Sequence, residues 1–189
     1  MQILEKTRQE VEEKTNKLSD FLKMEYLENC KKQIKDIEIQ KFCRKKLSEL
    51  YEARKMYPEA ARNIASFADS VVKNREKIEA HLKEMELWIK AGFYDSVDIT
   101  LKKVLAIGNA RERTEIKEKV KNMYLSQALV YEKENRNSNA LRVYELILSS
   151  LEEKEKLEIQ KKILVLYNKL GKIREYTLLK ELLDSKKVW

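Results

Sequence analysis

The sequence contains few of the residues that interrupt helices. Its 189 residues include three glycines and one proline, whereas 38% are charged and 43% are hydrophobic. Inside a helix, glycine and proline cost about 1 and about 3 kcal/mol relative to alanine, so their scarcity favours helical segments. The hydrophobic fraction is also too high for a disordered chain. We therefore expect an all-α protein with little or no sheet.

The sequence also lacks the segments that direct a protein into a membrane or out of the cell. It contains no run of about 18 apolar residues, which argues against a transmembrane helix. The amino-terminal stretch MQILEKTRQEVEEKTNK has no apolar core of the kind found in signal peptides. The two cysteines, Cys30 and Cys43, have no CxxC spacing and lie in helical patterns. We interpret them as reduced thiols and expect a cytoplasmic protein.

Residues suited to catalysis or metal binding are scarce as well. The sequence has one histidine, His81, and no nucleophile or metal ligand is spaced to work with it, so we expect it to have a packing or surface role. The isolated glycines form no phosphate-binding loop. Carboxylates alternate with lysines at helical spacing, as in EVEEKTNK, which is typical of a solvated ion-pair face. We predict a protein that is not an enzyme and that needs no cofactor or metal.

Polar and small residues divide the sequence into about ten helices. Nine breaks are predicted, near residues 19–20, 35–36, 57–58, 73–74, 92–93, 108–109, 135–139, 149–150 and 171. The helix-end signals at these breaks are Asp36 and Asn109 as N-caps, Pro58 in a first turn, and Gly92, Gly108 and Gly171 at helix ends. Between the breaks, apolar residues recur at spacings of three and four. The short connections predict that consecutive helices are antiparallel.

Aromatic residues mark a repeat within this pattern. An aromatic residue precedes each of four breaks, and a predicted core residue of the next helix follows that aromatic after nine positions. The pairs are Tyr51 and Ala60, Trp88 and Val97, Tyr131 and Ala140, and Tyr167 and Tyr176. Successive aromatics are 37, 43 and 36 residues apart. Such a period is found in repeat proteins built from helical pairs. One pair cannot bury its apolar face alone, so we expect the pairs to stack.

The repeat resembles the tetratricopeptide repeat. The stretch YLSQALVYEKENRNSNALRVYELI supplies the family's anchors as Tyr124, Ala128, Tyr131, Ala140, Tyr144 and Ile147. The corresponding stretches are YEARKMYPEAARNIASF, WIKAGFYDSVDITLKKV and YNKLGKIREYTLL, so that the resemblance covers about residues 41–185. Two turns lack the usual glycine, and Tyr176 stands at a position for a small residue. The looser helical-pair folds of vesicle-fusion attachment proteins and proteasome-lid subunits remain alternatives.

The resemblance implies a right-handed solenoid of antiparallel helical pairs in one continuous domain. Four repeats are expected in residues 41–189. Residues 1–40 are predicted to form an amino-terminal helical pair that is either a degenerate repeat or a cap.

The formal net charge of +8 is concentrated in two regions of the sequence. Residues 41–75 contain nine basic and four acidic residues, and residues 152–189 contain ten basic and seven acidic residues. The stretch KFCRKKLSELYEARK is predicted to place Lys41, Arg44 and Lys45 on one helix face. Three roles are open for such a patch: binding of an acidic protein segment, binding of nucleic acid, or simple solubility. Few aromatics are interleaved with it, which disfavours nucleic acid.

The resemblance further implies that the first helix of each pair lines a concave groove. The basic and amide residues predicted to bind a partner there are Lys45, Lys46, Lys83, Lys90, Asn122, Lys133, Lys161, Lys162, Asn168 and Lys169. We predict an interaction scaffold that binds an acidic peptide or helix in this groove, with a nucleic-acid-binding repeat as the alternative. Glu49 stands where relatives that clamp a terminal carboxylate have asparagine, which argues against chaperone-tail binding. Self-association through Trp189 is a third alternative.

Overall fold

The computed structural model describes residues 3–185, and no strand occurs in this part of the chain. The helices are α1 (Arg8–Lys17), α2 (Asp20–Gln33), α3 (Ile37–Ala53), α4 (Tyr57–Ser70), α5 (Asn74–Ala91), α6 (Tyr94–Ile107), α7 (Ala110–Lys133), α8 (Asn137–Ile147), α9 (Glu153–Lys169) and α10 (Ile173–Ser185). The predicted all-α fold is confirmed, and every predicted break lies at or beside a connection. None of the helices within residues 3–185 is long and apolar enough to cross a bilayer. Trp189 lies outside the described residues.

The chain divides into two compact units, Met1–Ile116 and Lys117–Trp189. In the first unit each helix from α1 to α5 packs against the helix that follows it in the chain. In the second unit α8 packs against α9, and α9 against α10. We call α3, α5, α7 and α9 the first helices of the four repeats, and α4, α6, α8 and α10 the second helices.

Two apolar clusters belong to the core of the first unit in the part of the chain that the structure describes. One lies among α1, α2 and α3 and contains Val11, Tyr26, Leu27, Cys30, Ile39, Phe42, Cys43 and Leu47. The other lies between α4 and α5 and contains Ala60, Ala61, Ile64, Phe67, Ala68, Val71, Ala80 and Leu87. Tyr51 packs against both clusters, so this first aromatic anchor joins the amino-terminal helices to the first repeat. Both cysteines are buried free thiols.

The four repeats share one turn between their two helices. In each turn the residue four positions after the aromatic has a positive φ: 60° at Lys55, 80° at Gly92, 57° at Asn135 and 68° at Gly171. The amide of the following residue donates a hydrogen bond to the carbonyl of the aromatic, over 2.9 Å for Tyr51, 3.0 Å for Trp88, 2.8 Å for Tyr131 and 2.9 Å for Tyr167. This is a Schellman motif, which satisfies carbonyl groups left free at a helix end. The second helix begins one residue later in every case.

The shared turn explains the constant spacing of nine residues. It brings the core residue of the second helix back onto the end of the first helix, where Ala60, Val97 and Ala140 are fully buried. In the fourth repeat Tyr176 is only half-buried, which accommodates its larger side chain. The two turns without glycine use Lys55 and Asn135 in the left-handed conformation instead. The connection between α1 and α2 has no such turn, because Leu18 is extended there.

Helix ends elsewhere follow the sequence signals, with one difference. Asp36 Oδ1 accepts hydrogen bonds from the amides of Glu38 and Ile39 over 2.9 and 3.0 Å, which caps α3 as predicted. Asn109 Oδ1 accepts one from Glu112 N over 2.9 Å and caps α7. Gly108 ends α6 but is extended, with φ of −73°. A Cβ at Gly108 would lie 3.3 Å from Cβ of Glu112, so close approach is the reason for this glycine.

The turns predict that Lys55→Gly stabilises the protein. Lysine in the left-handed conformation is strained, whereas glycine adopts it freely, so we expect the free energy of unfolding to rise by about 0.5–1 kcal/mol. Gly92→Ala is expected to lower it by a similar amount through backbone strain alone, since no atom lies within 4 Å of the added Cβ. Urea denaturation measures both changes.

Arg54→Gly is the matched control, because Arg54 is the preceding residue and has a φ of −91°. Glycine there gains no relief from strain and increases only the flexibility of the unfolded chain, so Arg54→Gly is expected to destabilise. Equal effects of Lys55→Gly and Arg54→Gly would show that the positive φ at Lys55 does not matter.

Candidate partner-binding surface

All ten predicted partner-binding residues lie on the first helices. Lys45 and Lys46 are on α3, Lys83 and Lys90 on α5, Asn122 and Lys133 on α7, and Lys161, Lys162, Asn168 and Lys169 on α9. Six of these side chains are exposed, namely Lys45, Asn122, Lys133, Lys161, Asn168 and Lys169. The other four are half-buried, and the contacts they make divide the set into paired and unpaired cations.

Lys83 and Lys90 are neutralised by carboxylates of the same surface. Lys83 Nζ lies 2.9 Å from Glu52 Oε1 of α3 and 3.0 Å from Glu86 Oε2. Lys90 Nζ lies 2.8 Å from Glu52 Oε1 and also bonds Glu86. Two cations and two carboxylates therefore form a closed network between α3 and α5. This network ties the first helices of two successive repeats together but adds no net charge to the surface.

The network shifts the pKa values of Glu52, Glu86 and Lys90. Burial alone would raise the pKa of Glu52, but the hydrogen bonds from Lys90 and Lys83 outweigh burial and lower it. The pKa of Glu86 is lowered for the same reason. Burial would lower the pKa of Lys90, but its bonds to Glu52 and Glu86 raise it. Glu52, Glu86 and Lys90 thus stay charged around neutral pH.

The basic stretch of α3 is split between two faces of the helix. Arg44 Nη1 donates to the carbonyl of Ser66 over 3.2 Å and lines one cleft, whereas Lys41 and Lys45 line another. The predicted common face of these three residues is therefore divided. Lys41 pairs with Glu38 over 2.9 Å. Lys45 is exposed and forms no ion pair in the described part of the chain.

In the second unit, Lys162 differs from the other predicted partner-binding lysines of α9, because it contacts a carboxylate of the protein itself. Its Nζ lies 3.2 Å from the Tyr144 hydroxyl, 3.6 Å from Glu132 Oε1 and 5.4 Å from the centre of the Tyr144 ring. Burial and the Glu132 carboxylate, which accepts the hydroxyl's hydrogen bond, raise the pKa of Tyr144. Lys161 and Lys169 have no carboxylate partner within residues 3–185. Both remain available to an incoming acidic group.

Exposed apolar side chains accompany these cations. Val165 of α9 is 55% exposed and stands four residues from both Lys161 and Lys169. Leu129 of α7 is 43% exposed and stands four residues before Lys133. Residues four apart lie on one helix face, so each apolar side chain is flanked by a lysine. The surface of α7 and of α9 therefore combines apolar contact with positive charge.

His81 has a buried carboxylate partner that the sequence analysis missed. Its Nδ1 lies 2.8 Å from Glu84 Oε2, and both side chains are less than 10% exposed. Glu84 Oε1 also accepts hydrogen bonds from Thr100 Oγ1 over 2.9 Å and from Trp88 Nε1 over 3.1 Å. The cluster joins α5 to α6 and fixes the second aromatic anchor. It is a structural cluster, because both carboxylate oxygens of Glu84 are occupied by hydrogen bonds within it.

Two clefts in the described part of the first unit are lined by both charged and apolar side chains. The larger has a volume of about 630 Å³ and lies among α2, α3 and α4. We call the smaller cleft, which has a volume of about 340 Å³, the Phe67 cleft. Its basic residues are Arg8, Lys41, Lys45 and Lys73; its apolar residues are Phe42, Phe67, Val71 and Val72; and its carboxylates are Glu38 and Glu76. The sequence analysis named only Lys41 and Lys45 of this set, because the cleft is assembled from distant helices.

Comparison with known proteins adds a structural likeness. No protein-family model and no curated protein matches the chain. The chain is similar to a crystal structure of a putative kinesin light chain from Podospora anserina with nearly identical TPR-like repeats. The likeness covers 94% of this chain and 92% of that chain, with 14% sequence identity and a TM-score of 0.40. The helical pairs predicted from the sequence are present in the structure, and four turns of the same type connect their helices.

Within residues 3–185, no group of three or more His, Cys, Asp or Glu side chains is arranged to hold a metal ion.

The ion network predicts a small change of stability for Glu52→Gln. The substitution leaves Lys83 and Lys90 with Glu86 as their remaining carboxylate, and partly exposed ion pairs contribute about 0–1 kcal/mol each. We expect the free energy of unfolding to fall by about 1 kcal/mol, measured by urea denaturation, and the loss to shrink in 1 M salt. Glu49→Gln, which removes the partner of Lys46 alone, is the control.

The buried cluster predicts an acid-sensitive contribution to stability from Glu84. Burial alone would raise the pKa of Glu84, but the hydrogen bonds from His81, Thr100 and Trp88 outweigh burial and lower it below 4.5. Because the pKa is lower in the folded chain, the contribution is complete above pH 4.5 and is lost as the pH falls through the folded value. We expect Glu84→Gln to cost about 1–3 kcal/mol at pH 7.

Urea denaturation at pH 7, 5 and 3 measures this dependence, and the cost of Glu84→Gln should diminish at the lowest pH. Glu79→Gln is the control on the same helix, since Glu79 is exposed and pairs only with Arg75 over 3.5 Å. A cost of Glu84→Gln that is equal at all three pH values would contradict the assignment.

Proposed function

We propose that the protein is a non-enzymatic interaction scaffold that binds an acidic peptide or helix on its first helices. Helical-pair repeats bind partners on extended surfaces made from equivalent helices. The observation that carries the proposal is a set of predicted lysines on the first helices with no ion pair in the described chain: Lys45, Lys133, Lys161 and Lys169. Their ammonium groups can bond carboxylates without breaking an internal contact.

The apolar residues on α7 and α9 favour a peptide over nucleic acid. Leu129 and Val165 stand beside Lys133, Lys161 and Lys169, and an amphipathic segment presents both carboxylates and apolar side chains to such a surface. Proteins that bind single-stranded nucleic acid instead stack bases on exposed aromatic rings, and these positions are aliphatic. The proposal includes a cytoplasmic location, which agrees with two free thiols.

Charge reversal of the unpaired lysines tests the proposal. A phage-displayed library of random 12-residue peptides is selected on the wild-type protein, and the enriched peptides are synthesised with a fluorescent label. The variant carries Lys45→Glu, Lys133→Glu, Lys161→Glu and Lys169→Glu. We expect enrichment of acidic peptides and at least a tenfold weaker affinity of the variant, measured by fluorescence anisotropy.

The control carries the same charge change on second helices, as Lys102→Glu, Lys103→Glu, Arg174→Glu and Lys180→Glu, and all four of these residues are exposed. Equal affinity of the variant and the control would reject the first helices as the binding surface. Tight binding of RNA or duplex DNA that weakens steeply with salt, with no acidic peptide enriched, would favour a nucleic-acid-binding repeat instead.

A further inference from the structure

The Phe67 cleft contains cations that the protein does not neutralise. Lys41 pairs with Glu38, but Lys45 and Lys73 form no ion pair in the described part of the chain. The Arg8 guanidinium lies 5.6 Å from the centre of the Phe42 ring and contacts no carboxylate there. Glu76 is the one unpaired carboxylate of the cleft within residues 3–185. Three unpaired cations against one carboxylate give the cleft a net positive field.

The floor of the same cleft is apolar. Phe42 and Phe67 are each 8% exposed and Val71 is 6% exposed, so their remaining accessible surface faces the cleft they line. Val72, in the connection between α4 and α5, is 88% exposed, which is the highest exposure among the large apolar residues described. A volume of about 340 Å³ lies at the lower end of the range for binding pockets, about 300–1,000 Å³. The cleft therefore suits a few side chains of a peptide.

Helix ends add to the positive field. Arg8 begins α1, Glu38 lies in the first turn of α3, and Glu76 lies in the first turn of α5, so three helix amino termini meet at the cleft. The positive end of the helix dipole lies at the amino terminus and favours anions. Thr7 and Asp36 cap α1 and α3 with side-chain oxygens, but Lys73 gives α5 no such cap. The amino terminus of α5 therefore has no side-chain acceptor from its N-cap residue, and a carboxylate could accept hydrogen bonds there.

The larger cleft of the first unit differs, because its polar groups bond one another. Glu28 accepts hydrogen bonds from Lys31 over 2.8 Å and from Tyr51 over 3.2 Å. Gln40 Nε2 donates to the carbonyls of Lys31 and Ile34 over 2.7 and 2.6 Å. A ligand there would have to replace these internal bonds. The Phe67 cleft has no comparable internal network, and this difference selects it as the binding site.

We propose that the Phe67 cleft is the primary docking site for the acidic segment. A large apolar side chain of the partner contacts Phe42, Phe67 and Val72, while carboxylates before and after it bond Lys45 and Lys73. The inference rests on the proposed function and specifies the partner's chemistry: an apolar residue flanked by acidic residues. It extends the predicted surface beyond the first helices, because Val72 and Lys73 belong to the connection between α4 and α5.

Variants of exposed cleft residues test the proposal with peptides enriched from the random library. Lys45→Glu with Lys73→Glu reverses two unpaired cations, and Val72→Asp places a charge at the apolar wall. We expect each variant to weaken binding at least tenfold. Glu76→Gln removes the repelling carboxylate and is expected to strengthen binding about two- to fivefold. Circular dichroism checks that each variant is folded, and the high exposure of Val72 makes unfolding by Val72→Asp unexpected.

Matched controls lie on α6 of the same unit. Lys102→Glu with Lys103→Glu repeats the charge change at exposed positions, and Ile99→Asp repeats the apolar change at a residue that is 58% exposed. These controls should leave the affinity unchanged. Enriched peptides in which a large apolar residue is flanked by Asp or Glu would support the proposal.

Three outcomes would overturn the cleft assignment. If Lys161→Glu with Lys169→Glu weakens binding and the cleft variants do not, the scaffold function stands but the site lies on α9. If acidic peptides without an apolar residue are enriched and Val72→Asp has no effect, the apolar floor plays no part. If no peptide is enriched, the proposed function fails together with the cleft.

Discussion

The hydrogen bond from the turn back to the aromatic carbonyl is the constraint on which the repeats depend. It closes the first helix, forces one residue into the left-handed conformation and starts the second helix at a fixed distance. Because the distance is fixed, a core residue nine positions after the aromatic always returns to the same place. Packing of alanine or valine at that place then follows from geometry, and Ala60 accordingly belongs to the apolar cluster between α4 and α5.

Charge on the first helices is divided between internal bonds and free groups. Glu52 and Glu86 form ion pairs with Lys83 and Lys90. Glu38 pairs with Lys41, and Glu49 pairs with Lys46. A surface that looks uniformly basic in the sequence is therefore positive only at particular points. Recognition is expected at these points, because a cation that already has a carboxylate partner must give it up before it binds another.

The sequence predicted the parts of the structure that depend on local spacing. Helix breaks and aromatic anchors could be predicted from the sequence, because caps, glycines and apolar periodicity act over a few residues. The left-handed conformation of Lys55 could not be predicted from the sequence, since lysine has no preference for that conformation. The pairing of Glu52 with Lys83 and Lys90 spans 31 and 38 residues, and the cleft unites Arg8 with Phe67. Such contacts depend on which helices become neighbours, and the spacing within one helix does not contain that information.

The common turn also makes the junctions of the chain interchangeable. Lys55 and Gly92 have the same backbone conformation at the same distance from an aromatic, so a cut after either residue leaves equivalent ends. Duplication of residues 56–92 would insert one second helix and one first helix with both turn bonds complete. Growth of the gene by such duplications requires no newly evolved loop, and the number of repeats can change while every junction keeps its geometry.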